Sequence, residues 1–306
     1  TNVSNQNTSQ AILLAKQNRF KGATNNRFLD IPQDIDQPFY FICLADSQIG
    51  MNPDIDQHSL RRIVTYINSL VTLPKFVIIC GDLVQHHVVV DQPSYDPHKA
   101  HIEVIQVKSI LEKLKQTIQI ICIPGNHDVG NIPYKHSIQL YNHRFGDDYY
   151  YLKVGNSYFI MLNSTLYKGE ESRTAEIQDM AATQDSWLTT TIDRIAATSA
   201  DNVIVFIHHL PFVTTTDESN SYWNIPLGSR LQLLSKLERA KCSKIFCGHW
   251  HKNNSKFTNN GQIELITTAP PWVGFRIVAM HKDKIRERFI PLNRMVDGFN
   301  PLSILD

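Results

Sequence analysis

Ile120-Ile121-Cys122-Ile123-Pro124-Gly125-Asn126-His127-Asp128 decides the fold of this 306-residue chain. A short apolar run ends in Pro-Gly, and three side chains able to handle metals or protons follow at once. This is the pattern of a buried strand that delivers its chemistry at the carboxyl end, where open α/β sheets bind ligands. The pattern recurs along the chain. Phe39 to Ala45 runs into Asp46-Ser47-Gln48, and Phe76 to Cys80 into Gly81-Asp82. Val203 to Ile207 runs into His208-His209-Leu210-Pro211, and Lys244 to Cys247 into Gly248-His249-Trp250-His251. Core packing alone does not explain apolar runs that all end in Asp, Asn or His.

Between these runs the spacing of apolar residues switches to the helical period. Ile55 to Leu70 places Leu60, Ile63, Val64 and Ile67 on one stripe, and His101 to Lys115 does the same with Val104, Val107, Leu111 and Leu114. Tyr134 to Phe145, Ala182 to Ile195 and Leu227 to Ala240 read as further helices, the first closing at Gly146. Tyr149 to Leu152 and Ser157 to Leu162 read as a hairpin, and Gln262 to Thr267, Phe275 to Met280 and Lys284 to Ile290 as late strands. The alternation predicts an α/β fold with a mostly parallel core, right-handed crossovers and helices outside. Tyr167 to Met180 and Phe212 to Pro226 lack periodicity and read as long functional loops. The expected organisation is a polar arm over 1–38, one domain over 39–292 and a tail over 293–306. The arm is rich in Asn and Gln, and docking on a protein partner is one expected use of it.

Composition narrows the function classes. A net charge of +1 gives no electrostatic case for nucleic acid or an anionic membrane. No apolar run reaches the roughly 18 residues of a membrane span, and no signal peptide is visible at Thr1 to Gln10. The odd cysteine count, 5, with each thiol in or beside an apolar stretch, reads as reduced structural cysteine in a cytoplasmic protein.

The run ends together supply hard carboxylate oxygens from Asp46 and Asp82, an amide oxygen from Asn126, and imidazole nitrogens from His209, His249 and His251. Divalent or trivalent first-row ions, Fe, Zn or Mn, suit that mixture. The set is too large for one tetrahedral ion. It suits a pair about 3.5–4 Å apart that clamps the attacking and leaving oxygens of phosphoryl transfer, with Asp82 as the natural bridge.

In this order and spacing, Asp46-Ser47-Gln48, Gly81-Asp82, Gly125-Asn126-His127-Asp128, His209-Leu210-Pro211 and Gly248-His249-Trp250-His251 resemble the calcineurin-like metallophosphoesterases. Phe145-Gly146-Asp147-Asp148-Tyr149, Leu162-Asn163-Ser164 and His209 to Phe212 carry a narrower similarity to the serine/threonine phosphatases of that superfamily, relatives of the purple acid phosphatases. The resemblance implies a four-layer α/β/β/α sandwich and a metal-dependent phosphomonoesterase acting on phosphorylated protein through a metal-bound hydroxide. It places Asp46, Asp82 and His251 on one ion and Asp82, Asn126, His209 and His249 on the other. Asn126 and His127 would meet the phosphate, with His127 stabilising charge or protonating the leaving oxygen and Asp128 orienting His127.

Gln48 stands where many superfamily members have His, and Gln85 where Asn, Asp or Tyr is common; both are expected behind the ligands rather than among them. His208 is expected to be structural, because strand alternation turns it away from His209. His86 and His87 read as surface loop residues. Trp223 and Trp272 could line a substrate groove or pack on the sheet edge, and Arg230 could bind phosphate or pair with a carboxylate. Two other functions remain open on sequence: a binding module with a weakened metal site, and a phosphodiesterase or nucleotide phosphoesterase.

Overall fold

The computed structural model describes residues 19–20, 22, 27–86, 96–169 and 173–306. The expectation for His87 and most of the expectation for the amino-terminal arm lie outside these residues.

Two sheets form the centre. The first, in the order β12-β11-β2-β3-β4, joins β2 (Phe39–Leu44), β3 (Phe76–Cys80), β4 (Gln119–Ile123), β11 (Gly274–His281) and β12 (Lys284–Pro291). In it β2, β3 and β4 run parallel, and β11 joins β2 antiparallel. The second has the order β1-β5-β6-β7-β8-β10-β9. It is built from β1 (Phe28–Ile31), β5 (Tyr150–Val154), β6 (Ser157–Met161), β7 (Asn202–Phe206), β8 (Lys244–Cys247), β9 (Asn254–Phe257) and β10 (Glu264–Thr267). Its centre, β6-β7-β8-β10, is parallel.

Alternation of side chains within each strand builds the layers. In β2, Tyr40, Ile42 and Leu44 face a cluster shared with α1 (Pro53–Ser69) and α2 (Pro97–Leu111), through Leu60, Ile63, Val104 and Val107. Phe39, Phe41 and Cys43 face the other way, into the space between the sheets, with Phe76, Phe159, Phe206 and Phe246. Phe41 stacks on Phe76 at 4.7 Å and meets Phe159 and Phe206 edge-on at 5.6 Å. Each such aromatic pair contributes about 0.5–1.5 kcal/mol beyond its buried area. On the far side, α3 (Ala175–Ala196) and α4 (Leu227–Arg239) cover the second sheet with Leu188, Ile192, Leu234 and Leu237. The result is the expected α/β/β/α sandwich.

Several elements differ from the sequence reading. Helix α3 begins at Ala175, capped by Thr174, whose hydroxyl accepts the Ile177 N–H. The expected loop over Tyr167 to Met180 is therefore shorter. Residues Phe28–Ile31 pair in parallel with Tyr151 to Val154 and extend the second sheet, and Asn254–Phe257 adds an antiparallel edge strand. Met295, Phe299, Leu302 and Ile304 pack against the cluster beneath α1 and α2. Among the described residues, no helix is long and apolar enough to cross a membrane.

Candidate metal centre

The carboxyl ends of β2, β3 and β4 in one sheet and of β7 and β8 in the other converge on one rim. Hydrogen bonds weld them there. The Asp46 N–H donates to the Gly81 carbonyl at 3.0 Å, and the Gln48 N–H to the Asp82 carbonyl at 2.8 Å. The Gly248 N–H donates to the His208 carbonyl at 3.2 Å. Asp46, Gln48, Asp82, His249 and His251 all hold positive φ, between 36° and 66°. Non-glycine residues in this region are uncommon and cluster at functional sites, where surrounding structure must hold them. The approach is close enough to demand glycine. A Cβ on Gly125 would stand 2.2 Å from Asp82 Oδ1, and one on Gly248 would stand 2.7 Å from Asp46 Oδ2.

Asp46, Asp82, Asn126, His209 and His249 are all buried at this rim. Asp46 accepts the His249 N–H at 2.9 Å and lies 3.5 Å from His251 Nε2. Asp82 Oδ1 accepts the His127 N–H at 2.8 Å. The ligand atoms of Asp46, Asp82 and His208 lie within 4.8 Å of one another, as do those of His208, His209 and His249. Ser164 fixes His209: its Oγ accepts the His209 N–H at 2.9 Å and lies 2.8 Å from Nδ1, which leaves Nε2 to face the pocket. Asn163 supports that turn through bonds to Asp148 and Thr165.

The electrostatics suit cations. Burial opposes charge on Asp82, but His208 and then His127 outweigh it and hold the carboxyl below its usual range. Burial lowers His209 well below the ordinary imidazole range, helped by His249 and His208. Burial and then His208 push His249 down to about 3. Both rings are thus neutral, the form that binds metal. Burial works against charge on His251, but Asp46 raises it. Gln48 Oε1 and Gln85 Oε1 are buried with no hydrogen-bond partner. Carboxylates, neutral imidazoles and orphaned amide oxygens make a donor set that fits transition-metal ions.

Three expectations need correction. His208 does not turn away: it points into the cluster, with Nε2 3.2 Å from Asp82 Oδ2 and 3.1 Å from Asn126 Oδ1. The phase of the alternation was misassigned: Ile204 and Phe206 face the space between the sheets, and His208 continues on that side, whereas Val203, Val205 and Ile207 face the helices. Burial lowers His208, but the Asp82 charge prevails and lifts it to about 9. Next, His127 Nδ1 meets the Gln85 carbonyl at 3.0 Å, not Asp128. The Asp128 carboxylate instead accepts backbone N–H groups of Leu83, Val84 and Gly125 at 2.8–3.4 Å, so it holds the turn that carries His127. Burial and the Asp82 charge push Asp128 up to about 8. Last, Arg230 is fully buried. It donates to the Pro211 carbonyl at 3.3 Å and pairs with Glu218 at 3.6 Å, so it braces the loop and cannot reach phosphate.

Sequence reasoning missed Tyr222 and Lys168. The Tyr222 ring lies 4.9 Å from the His249 ring, and its hydroxyl lies 3.4 Å from Asn126 Nδ2. Trp223 lies 5.4 Å from the same histidine, and Trp272 lies 6.1 Å from His251. Lys168 Nζ donates to the carbonyls of Ser221, Tyr222 and Asn224 at 2.7–3.1 Å and pins this aromatic corner. The adjacent aromatics in a stretch without periodicity were the only signal in the sequence.

The rim is built as a metal-dependent phosphoesterase centre, and comparison with known proteins agrees. The family model for calcineurin-like phosphoesterases matches residues 39–253, and the chain belongs to that family. Serine/threonine-protein phosphatase CPPED1 of Danio rerio is 28% identical over 306 residues, covering 92% of this chain and 93% of that protein. Among solved structures, a dimetal phosphatase from Danio rerio superposes with a TM-score of 0.61 at 15% identity, over 83% of this chain and 96% of that one. The purple acid phosphatase PPD1 of yellow lupin (Lupinus luteus) superposes with a TM-score of 0.57 at 12% identity, over 86% of this chain and 53% of that one.

Proposed function

We propose that the chain hydrolyses phosphoserine and phosphothreonine in proteins. Asp46, Asp82 and His251 would hold one ion, and Asp82, Asn126, His209 and His249 the other. The observation that carries this reading is the convergence of side chains from both sheets on Asp82, which gathers carboxylate, amide and imidazole donor atoms at one rim. Bound ions, Fe, Zn or Mn by donor type, would supply Lewis acidity and neutralise phosphate charge. The His127 Nδ1–H donates a hydrogen bond to the Gln85 carbonyl, which leaves Nε2 to face the ester and, when protonated, to release a proton to the departing alkoxide. Asp82 sets the position of that ring through the His127 backbone.

The serine/threonine preference is supported by CPPED1, which matches this chain over most of both lengths. The free, buried cysteines support a reducing compartment, the cytoplasm. A protein partner for residues 1–38 remains part of the same proposal. The test is a panel of phosphoserine, phosphothreonine and phosphotyrosine peptides with an aryl phosphodiester, run with added manganese. Phosphoserine and phosphothreonine hydrolysis that falls at least about 100-fold in Asp82→Asn and His127→Ala supports it. Equal activity in wild type and both variants, or preference for the diester, contradicts it.

A further inference from the structure

We infer that His208 is itself a metal ligand, binding through Nε2 the ion that Asp82 and Asn126 share. This deepens the two-ion reading and rests on it. His208 Nδ1 lies 2.8 Å from the Cys80 carbonyl oxygen, which only accepts, so the ring carries its proton there. In the neutral ring Nε2 then presents a lone pair. It faces Asn126 Oδ1 at 3.1 Å and Asp82 Oδ2 at 3.2 Å, and both of those atoms are acceptors too. Acceptors aimed at one another need a proton or a metal ion between them, and these same atoms form two ligand clusters of metal-binding geometry. At 3.1–3.2 Å, His208 Nε2, Asn126 Oδ1 and Asp82 Oδ2 stand close enough together for one ion to be held by all three. Without an ion, a proton on Nε2 satisfies the same oxygens; with one, the ion takes that place.

The ring has no room to withdraw. It is fully buried, and a Cβ on Gly81 would stand 2.4 Å from its Nδ1, so backbone lies directly against it. His208 is also the member common to both ligand clusters, one with Asp46 and Asp82 and the other with His209 and His249. Its ring centroid is 5.0 Å from each of the other two rings. The ion beside Asn126 therefore gains an imidazole beyond those of His209 and His249, and its affinity depends on His208 directly.

The test uses full-length chain stripped by a chelator and titrated with cobalt(II), following the visible spectrum and competition with a chromophoric chelator. Wild type is compared with His208→Gln and His208→Phe, and thermal melting of the stripped proteins checks folding. The inference predicts that both variants bind cobalt at least about tenfold more weakly, with an altered ligand-field spectrum. Wild-type affinity and spectrum in both variants overturn it while leaving the two-ion reading intact. Wild type that binds no cobalt removes both. If the variants do not fold, crystals of cobalt-loaded wild type decide: an anomalous peak about 2.1 Å from His208 Nε2 supports the inference, and a peak well away from that atom overturns it.

Discussion

Oδ1 of Asp46 accepts the backbone N–H of His249 at 2.9 Å, and this bond ties the end of β2 in one sheet to the end of β8 in the other. The same carboxylate is a proposed ligand, so structure and metal binding can be separated by substitution. Asp46→Ala leaves the buried N–H unsatisfied and costs about 1–3 kcal/mol of unfolding free energy, read from urea denaturation. Asp46→Asn keeps an acceptor and restores most of that stability, yet both variants lose metal and phosphatase activity. Full activity in Asp46→Asn contradicts the assignment.

Gly125 is predicted to tolerate no side chain. The Cβ of Gly125→Ala would collide with Asp82 Oδ1 at 2.2 Å and with the Asp82 backbone nitrogen at 2.4 Å. Overpacking of this kind costs about 1–3 kcal/mol. Because the displaced atom is a proposed bridging ligand, activity falls further than stability does. Urea unfolding and metal analysis of the same sample measure the two effects.

Arg230 separates a brace from a phosphate binder. Its guanidinium holds the Pro211 and Glu218 carbonyls and the Glu218 carboxylate while fully buried. Arg230→Met is expected to lose about 3 kcal/mol of stability and to keep the wild-type KM for small aryl phosphates at temperatures where it stays folded. A raised KM without loss of stability would return Arg230 to the substrate site.

Lys168 carries a pH signature. Burial lowers it from 10.5 to about 8. Between these values the unfolded chain binds more protons than the folded chain, so Lys168 makes stability rise with pH across that window. Below about pH 8 its full cost is present. Lys168→Met is expected to flatten this rise in urea midpoints between pH 8 and 10. The same variant releases the carbonyls of Ser221, Tyr222 and Asn224 and speeds proteolysis within residues 213–226.

The strand ends were legible because each needs the same thing from the sequence. An apolar run must stop, often at a glycine that lets backbone press on a ligand, and a polar side chain must follow, as at Gly81-Asp82, Gly125-Asn126 and Gly248-His249. The four layers followed from the family resemblance, since apolar periodicity by itself reached only a mostly parallel core with helices outside. His208 was not legible, because period 2 separates His208 from His209 without saying which of them faces inward. Tyr222 and Lys168 meet across the fold at a loop whose conformation comes from carbonyl–ammonium bonds, and no periodicity encodes that. Phe28–Ile31 was missed because four residues are too few for a period to show, although Phe28 packs on Tyr151 and Ile31 enters the core between the sheets.

The central claim is a pair of cations sharing Asp82. Elemental analysis of the purified full-length chain, reconstituted with manganese, zinc or iron and freed of excess metal, tests it most directly. About two ions per chain in wild type, with loss of metal in Asp82→Asn, is the predicted result. Wild type that retains none of these metals contradicts the account and leaves a phosphoesterase fold without phosphoesterase chemistry.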